Sequence, residues 1–492
     1  MQKSSFFDEW FSNIRGDILA GVIVALALIP EALAFSFIAG VDPKVGLYAA
    51  FSIAVVSSIT GGRPAMISAA TGSVALIIVS LAKSHGVEYV LAAGILAGAL
   101  QFCAGTIGLG SLMSFVSRSV ITGFVNSLAI LIFLAQLPQL RHVSLYVYAM
   151  VLGGLSIIYI LPRFTKSLPA PLVCIIVLTA ISLIFHLKVR TVGDMGSFPD
   201  KLPVPMFPSV PISFRTLEII LPYSIAVAVV GLLESLMTAS IVDDFTHIES
   251  DRNRECRGQG IANIVAGVLG GMPGCAMIGQ TVVNLQSGGR GRLSTFVAGA
   301  SLLMLVLFAG QWVRQIPMAA LVAVMIMVSI STFSWRSILN VRTHPKSASI
   351  VMVTTVVVVV ATGNLAIGVL VGVVLSSLFF ASETRQMLFI RSSLDEQKRE
   401  RSYFVQGQVF FASSEDFVAN FDFTEALQCA RLDLSDVRFW DITAVEALDK
   451  VVEKFRQSGI SVQVTGLTDE NSTMIKKYSM YEDLPSAKVS PR

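Results

Sequence analysis

Long apolar runs separated by short polar or Pro/Gly breaks fill the chain to about residue 385 and then stop. In the first part the runs cover 14–38, 45–60, 69–82, 89–108, 119–136, 143–161 and 168–187. Seven more follow, at 219–242, 258–271, 276–287, 293–310, 316–333, 346–362 and 365–382. A helix needs about 20 largely apolar residues to cross the hydrocarbon layer, so the pattern predicts fourteen membrane segments rather than a soluble core. Runs 69–82 and 276–287 are short and open on small or polar residues, which predicts two half-helices.

Between the two sets of seven lies "SFPDKLPVPMFPSVPIS", whose prolines cannot sustain a helix and favour an extended, solvated connection. It divides the membrane part into a first repeat (1–187), a Pro-rich loop (188–218) and a second repeat (219–385). Glu31 and Glu234 differ by 203 positions, as do Thr71 and Gly274, which suggests two copies of one plan. Seven segments per copy is odd, so the second copy must insert upside down, as in many secondary transporters. Beyond a linker at 386–399 the pattern changes to strand alternation in "DEQKRERSYFVQGQVFFASSEDF" and predicts a small soluble domain over 400–492. There "CARLDLSDV" and "GISVQVTGL" read as strands, and "AVEALDKVVEKFRQ" as a helix whose apolar positions are Val445, Leu448, Val451, Val452 and Phe455. Strand, helix, strand in that order implies a parallel βαβ unit.

Composition agrees: 54% of the 492 residues are hydrophobic and 14% are charged, far from an ordinary soluble chain. The net charge of +3 decides little; its placement decides more. With an even number of spans and a cytoplasmic N-terminus, sixteen Lys and Arg from Lys3, Arg15 and Arg63 through Lys166 to Arg391 fall in inside loops. The outside loops hold Lys44, Lys83, Arg141 and Arg314, an asymmetry that puts both termini in the cytoplasm. The expected location is a cell membrane, crossed many times, of the bacterial inner-membrane kind. No cleavable secretion signal is expected in residues 1–38. The five cysteines form no Cys-x-x-Cys pair, so neither a zinc site, a disulfide framework nor a cofactor is suggested. No feature points to nucleic acid, and no catalytic constellation points to an enzyme.

The candidate chemistry sits inside the spans. Glu31 follows Pro30 in "VALALIPEALAFSFIAG", and Glu234 lies in "VVGLLESLMTAS". A charged side chain at such depth costs roughly 2.5–3.5 kcal/mol on insertion scales and marks a functional site by default. Burial of this kind favours proton uptake near neutral pH; the plainer reading is a protonated Glu bonded to a neighbouring helix. Phe35 lies one helical turn after Glu31, and Thr238 one turn after Glu234. Glu234 and Thr238 offer oxygens to a proton or to Na+, although a Thr hydroxyl bonded back to its own helix is equally ordinary. The segments "ISAATGSVALIIV" and "GMPGCAMIGQTVVN" bring Gly, Ser, Thr or Ala to a helix start. Exposed N–H groups and the helix dipole attract anions there, so two such starts meeting at mid-membrane hold an anion without Lys or Arg.

Four stretches, "IRGDILAGVIVALALIPEALAFSFIAGVDPKVGLYAA", "GGRPAMISAATGSVAL", "GGMPGCAMIGQTVVN" and "RLDLSDVRFWDITAVEAL", together resemble the SulP family of anion transporters with its C-terminal STAS domain. The resemblance implies an α-helical membrane protein of fourteen segments in two inverted seven-segment repeats. It further implies core and gate domains that move in an elevator-like manner, a cytoplasmic α/β STAS domain, and a homodimer embedded in membrane lipid. Carried over residue by residue, it assigns substrate contacts to Phe35, to Thr71, Gly72 and Ser73, and to Cys275, Ala276 and Met277. Glu31 stands where proton-coupled prokaryotic relatives have Glu and animal relatives commonly have Gln. Glu234 and Thr238 match the acidic residue and threonine of a sodium-dependent bicarbonate member. Some animal members carry Arg within the second half-helix, where this chain has Gln280.

An ionised Glu31 or Glu234 would repel an anion, so the expected activity is cation-coupled uptake of sulfate, bicarbonate or a dicarboxylate, with H+ preferred to Na+. Rival readings are a Na+-coupled bicarbonate symporter, an anion exchanger, an uncoupled channel, a nucleobase permease and an anion-sensing receptor. Thr443, in "DIT", lies near the position phosphorylated in bacterial anti-sigma-factor antagonists, so it is either a regulatory site or a helix cap. The tail would otherwise serve assembly or a cytoplasmic protein partner.

Overall fold

Helix length sorts the membrane segments into two kinds. The computed structural model describes residues 6–111, 116–141, 143–164, 169–343, 345–395, 397 and 399–479, and divides between Val373 and Val374 into two units. Lys3 and Lys166 of the inside-charge count lie outside the described residues. After a short α1 (Phe6–Phe11), the first unit holds α2 (Ile14–Ala39), α3 (Pro43–Thr60), α4 (Gly72–His85), α5 (Val87–Ile107), α6 (Arg118–Gln136), α7 (Leu145–Ile160) and α8 (Ala170–Ile184). It continues with α9 (Phe214–Thr246), α10 (Arg252–Val268), α11 (Ile278–Gln286), α12 (Arg292–Arg314), α13 (Met318–Thr332), α14 (Trp335–Asn340) and α15 (Lys346–Thr362), and α16 (Leu365–Arg385) runs across the division into the second unit. Among the described residues nine helices are long and apolar enough to cross a membrane, and α4, α8 and α15 are shorter apolar helices. The 14 residues of α4 and 9 of α11 span only about 21 and 14 Å at 1.5 Å per residue, against a hydrocarbon core of about 30 Å. Both are half-helices.

Helix contacts come in exchanged pairs. α2 packs on α12 and α9 on α5; α3 packs on α12 and α10 on α5; α4 meets α9 and α11 meets α2; α6 meets α15 and α13 meets α7. Matching α2–α7 with α9–α13 and α15 in order, α14 left aside, turns the first member of each pair into the second. Two copies of one seven-segment plan produce that exchange, and an odd segment count turns the copies over. The matched half-helix starts, Gly72 and Ile278, differ by 206 positions rather than 203, so Glu31 and Glu234 stand three residues out of register relative to them.

Two-residue strands β1 (Ser68–Ala69) and β2 (Cys275–Ala276) run into the half-helices and pair antiparallel, Ser68 with Ala276 and Ala69 with Cys275. This moves the expected half-helix starts from 69 and 276 to Gly72 and Ile278, because the residues before them are held extended by the partner strand. The crossing is tight: a Cβ on Gly274 would lie 2.0 Å from the Ala69 carbonyl oxygen. Asn263 secures it by accepting from the Gly274 N–H at 2.8 Å and donating to the Gly274 carbonyl at 3.0 Å, with Gln101 behind it.

The Pro-rich loop is extended but not freely solvated. Phe198 is buried, Tyr48 donates its hydroxyl to the Lys201 carbonyl at 2.7 Å, and the Met206 N–H reaches the Val268 carbonyl at 2.7 Å. At its far end Ser213 caps α9 by accepting from the Thr216 N–H, so the helix starts at Phe214, before the expected boundary. Two of the arginines counted as loop charges are likewise buried. Arg63 pairs with Asp243 (3.3 Å) and donates to Thr246; Arg292 pairs with Glu9 (2.6 Å) and donates to the Ser58 carbonyl at 2.9 Å. Each ties one repeat to the other.

In the second unit β3 (Phe389–Asp395), β4 (Glu400–Val409), β5 (Cys429–Phe439) and β6 (Ser461–Thr465) form one sheet in that order. β3 and β4 are antiparallel; β4, β5 and β6 are parallel. β3 occupies part of the stretch 386–399 read as linker. The unit also holds α17 (Ser414–Ala419), α18 (Ile442–Gln457) and α19 (Asp469–Tyr478). α18 links β5 to β6, and its stripe of Val445, Leu448, Val451, Val452 and Phe455 is fully buried with Leu432 and Leu434 of the sheet. That is the βαβ unit its spacing predicts.

Candidate anion site

The β1–β2 crossing sets the two half-helix starts side by side. Neither start is capped by a side chain, and the first N–H groups of any helix lack partners within it. Thr71 occupies the cap position of α4 and Met277 that of α11, whereas Cys275 and Ala276 lie in β2 rather than on the helix. Phe35 of α2 closes over the first start: a Cβ on Gly72 would come within 2.9 Å of the Phe35 ring, so glycine is what lets the ring approach.

A cavity of about 700 Å³ opens against these elements. Thr71, Gly72, Met277, Gly279 and Gln280 form its wall at the helix starts, with Phe35 and the carboxylates Glu31 and Glu234. From there it extends to Gln286 and Ser287 at the end of α11 and to Ser331 and Thr332 at the end of α13. No Lys, Arg or His is among its described lining residues.

The carboxylates are held in a crossed arrangement. Glu31, from the first repeat, accepts from Gln280 Nε2 of the second half-helix at 2.6 Å. Glu234, from the second repeat, accepts from the Ser73 hydroxyl of the first half-helix and from Cys275 Sγ at 3.1 Å. Thr71 Oγ1 lies 3.1 Å from both Ser73 Oγ and Cys275 Sγ, so Glu234, Ser73, Thr71 and Cys275 close a hydrogen-bonded ring. Glu31 is half-buried at the cavity, while Glu234 is 8% exposed. The Ser235 hydroxyl accepts from the Ala276 N–H at 3.1 Å and so fixes β2 to α9.

A sulfate permease family model matches residues 14–150 and 139–355, and a STAS domain model matches 392–491. The chain is 54% identical to "Putative sulfate transporter YbaR" of Bacillus subtilis over 95% of its own length and 98% of that protein. The chain belongs to the sulfate permease family. It is a multi-span membrane protein of a transporter family, not an enzyme, with a C-terminal STAS domain. It is also 27% identical to the bicarbonate transporter BicA of Picosynechococcus, over 97% of this chain and 93% of that one. Among solved structures, the transmembrane domain of a cyanobacterial BicA aligns with TM-score 0.64 at 26% identity, over 74% of this chain and 98% of that chain. Murine Slc26a9 in the inward-facing state aligns with TM-score 0.82 over 97% of this chain and 90% of that chain; at 17% identity this is a likeness of fold.

Of the residues that this family's pattern singles out, Glu31, Phe35, Thr71, Gly72, Met277 and Glu234 line the cavity. Ser73, Cys275 and Ala276 are fully buried just behind that wall. Thr238 is fully buried too, and its hydroxyl donates to the Glu234 carbonyl at 2.8 Å, the ordinary back-bond of a helical threonine. Thr443 is exposed at the start of α18, but the cap is Asp441, which accepts from the Ala444 N–H at 2.9 Å. The reading of Thr443 as a cap is therefore corrected. Sequence reasoning missed the Gln280–Glu31 bond, the Ser235 anchor and the Asn263 brace. Partners 249 positions apart leave no periodic signal.

Proposed function

We propose that the protein moves a small oxyanion of the sulfate, bicarbonate or dicarboxylate class across the membrane, with a proton taken up at Glu31. The carrying observation is a cavity that joins two uncapped half-helix starts to two carboxylates, with no Lys or Arg among its described lining residues. Backbone donors and helix dipoles supply the attraction, and neutralising a carboxylate removes the repulsion. Relatives whose names give sulfate or bicarbonate as cargo support the substrate class. The cavity reaches the ends of α11 and α13, which are followed in the chain by Arg290 in the next loop and by Arg336 in α14. By the positive-inside rule this mouth faces the cytoplasm, with both termini, in a bacterial inner membrane. Exchange between inward and outward mouths follows from α2–α5 with α9–α12 moving as an elevator against the remaining helices. A homodimer, and a cytoplasmic protein partner or phosphorylation at Thr443 in the STAS domain, complete the proposal.

The test is uptake of labelled sulfate, bicarbonate and succinate into proteoliposomes under separately imposed H+ and Na+ gradients, without counter-substrate. Accumulation driven by an acidic outer pH is the expected result, and uptake indifferent to both gradients overturns the proposal. A Na+ reading draws on Glu234 and Thr238 one turn apart. It wins if the Na+ gradient alone drives accumulation.

A further inference from the structure

Gln280 is the third residue of α11, on the cavity wall and 5% exposed. Its Nε2 donates to Glu31, while its Oε1 is buried with no hydrogen-bond partner. Buried acceptors are seldom left so, and this one lies where an anion would approach. A carboxamide has a donor end and an acceptor end of nearly the same shape, so half a turn about its last bond exchanges them without moving the backbone.

Which end meets Glu31 depends on the carboxyl group. An ionised carboxylate only accepts and requires the NH2 end, which is the arrangement in this structure. A protonated carboxyl keeps an acceptor but gains an O–H that needs one, and the unpartnered Oε1 supplies it when the amide turns. The NH2 group then turns to where the unpartnered oxygen was, as a donor pair beside the half-helix start. The remaining titratable groups at the site are Glu234 of α9 and Cys275 of β2, which hold each other and Ser73 rather than Glu31. Among the described lining residues α4, α6, α8 and α13 contribute no titratable group.

We propose that the Gln280 side-chain amide reads the protonation state of Glu31, turning end for end so that proton uptake replaces an acceptor with a donor for the anion. Gln280 is thereby a coupling residue, acting through Glu31 on the affinity of the helix starts. This rests on the reading that Glu31 carries the coupled proton. The orphaned oxygen is the cost of the ionised state, and the bound anion satisfies the amide in the protonated one.

The test compares the full-length wild type with Gln280→Met, Gln280→Lys and Glu31→Gln in proteoliposomes, measuring KM for labelled sulfate and bicarbonate against outer pH. In the wild type, KM falls as pH falls, by at most about tenfold per pH unit, the slope that one coupled proton gives. Gln280→Met keeps the side-chain length without a donor or acceptor, and flattens this slope to less than about twofold per unit while KM stays high throughout. Gln280→Lys, a permanent donor, also flattens it, with KM low at every pH. Isotope-edited infrared difference spectra at the Gln side chain supply a second readout, in which the amide carbonyl band shifts together with the Glu31 carboxyl band. A wild-type slope in Gln280→Met, or an amide band that ignores the Glu31 band, overturns the Gln280 proposal alone. A wild-type slope in Glu31→Gln overturns the reading beneath it.

Discussion

The two intramembrane carboxylates share a plan and differ in their surroundings. Each comes from one repeat and accepts a hydrogen bond from the first turn of the other repeat's half-helix: Glu31 from Gln280, Glu234 from Ser73. Glu234 has a second donor in Cys275, closes a ring with Ser73, Thr71 and Cys275, and reaches the cavity with only 8% of its surface exposed. Glu31 has one partner and stays half-open to the cavity. A repeated architecture thus supplies two equivalent places for a carboxylate, and local packing makes them unequal. Under the proposed coupling, the more exposed one exchanges protons with the water that brings the anion, and the more buried one holds the two half-helix starts together.

The largest expected effect breaks both places at once. Arg63→Ala removes the cation of a pair that joins the loop before β1 to α9; Asp243 keeps its bonds from the Ser250 N–H and hydroxyl, so the loss should be about 1–3 kcal/mol. Thermal unfolding in detergent checks this, and Arg292→Ala, which removes the guanidinium paired with Glu9 across the repeats, should behave alike.

Gly72→Ala should act on the Glu31 side. The new Cβ meets the Phe35 ring at 2.9 Å and Ile132 at 3.1 Å, and overpacking of this kind costs about 1–3 kcal/mol. Transport should fall more than stability, since the strain lies at the helix start. Adding Phe35→Leu, which removes the ring, should restore part of the rate; a double variant no faster than Gly72→Ala would separate Phe35 from the site.

Cys275→Ala sharpens the other side of the comparison. It removes one donor to Glu234 but leaves Ser73, so it should cost about 1 kcal/mol. The pH profile of uptake should keep its shape. Smaller still, Asp441→Ala removes the cap of α18, at about 1 kcal/mol confined to the C-terminal unit. In that unit Arg385 holds the Asp416 carboxyl below its usual range. A depressed carboxylate contributes stability at neutral pH that is lost as pH falls through its folded value. The unit should therefore weaken slightly in acid, an effect that Asp416→Asn removes in thermal unfolding.

Much of the membrane fold was legible, because a span writes itself as some 20 apolar residues whatever its tertiary partners. The half-helices showed as runs too short to cross, and α18 showed as a stripe at helical spacing. The strands β1 and β2 did not show, because two residues carry no alternation; only a partner some 200 positions away holds them extended. The same limit shifted the half-helix starts and hid the Gln280–Glu31 bond. Counting Arg63 and Arg292 as loop charges missed that both are buried and paired. The acidic residues at the site were legible as anomalies of composition, and their inequality was not, since it depends on Ser73, Cys275 and Gln280 arriving from the opposite repeat.

The proposed coupling requires that Glu31, the more exposed carboxylate, and not Glu234 carries the proton. Its most direct test is proton-gradient-driven anion accumulation in proteoliposomes bearing Glu31→Gln or Glu234→Gln, with equal amounts of folded protein. Glu31→Gln should equilibrate the anion without accumulating it, at any outer pH, while Glu234→Gln should still respond to the proton gradient at a reduced rate. Accumulation retained in Glu31→Gln and lost in Glu234→Gln would contradict it.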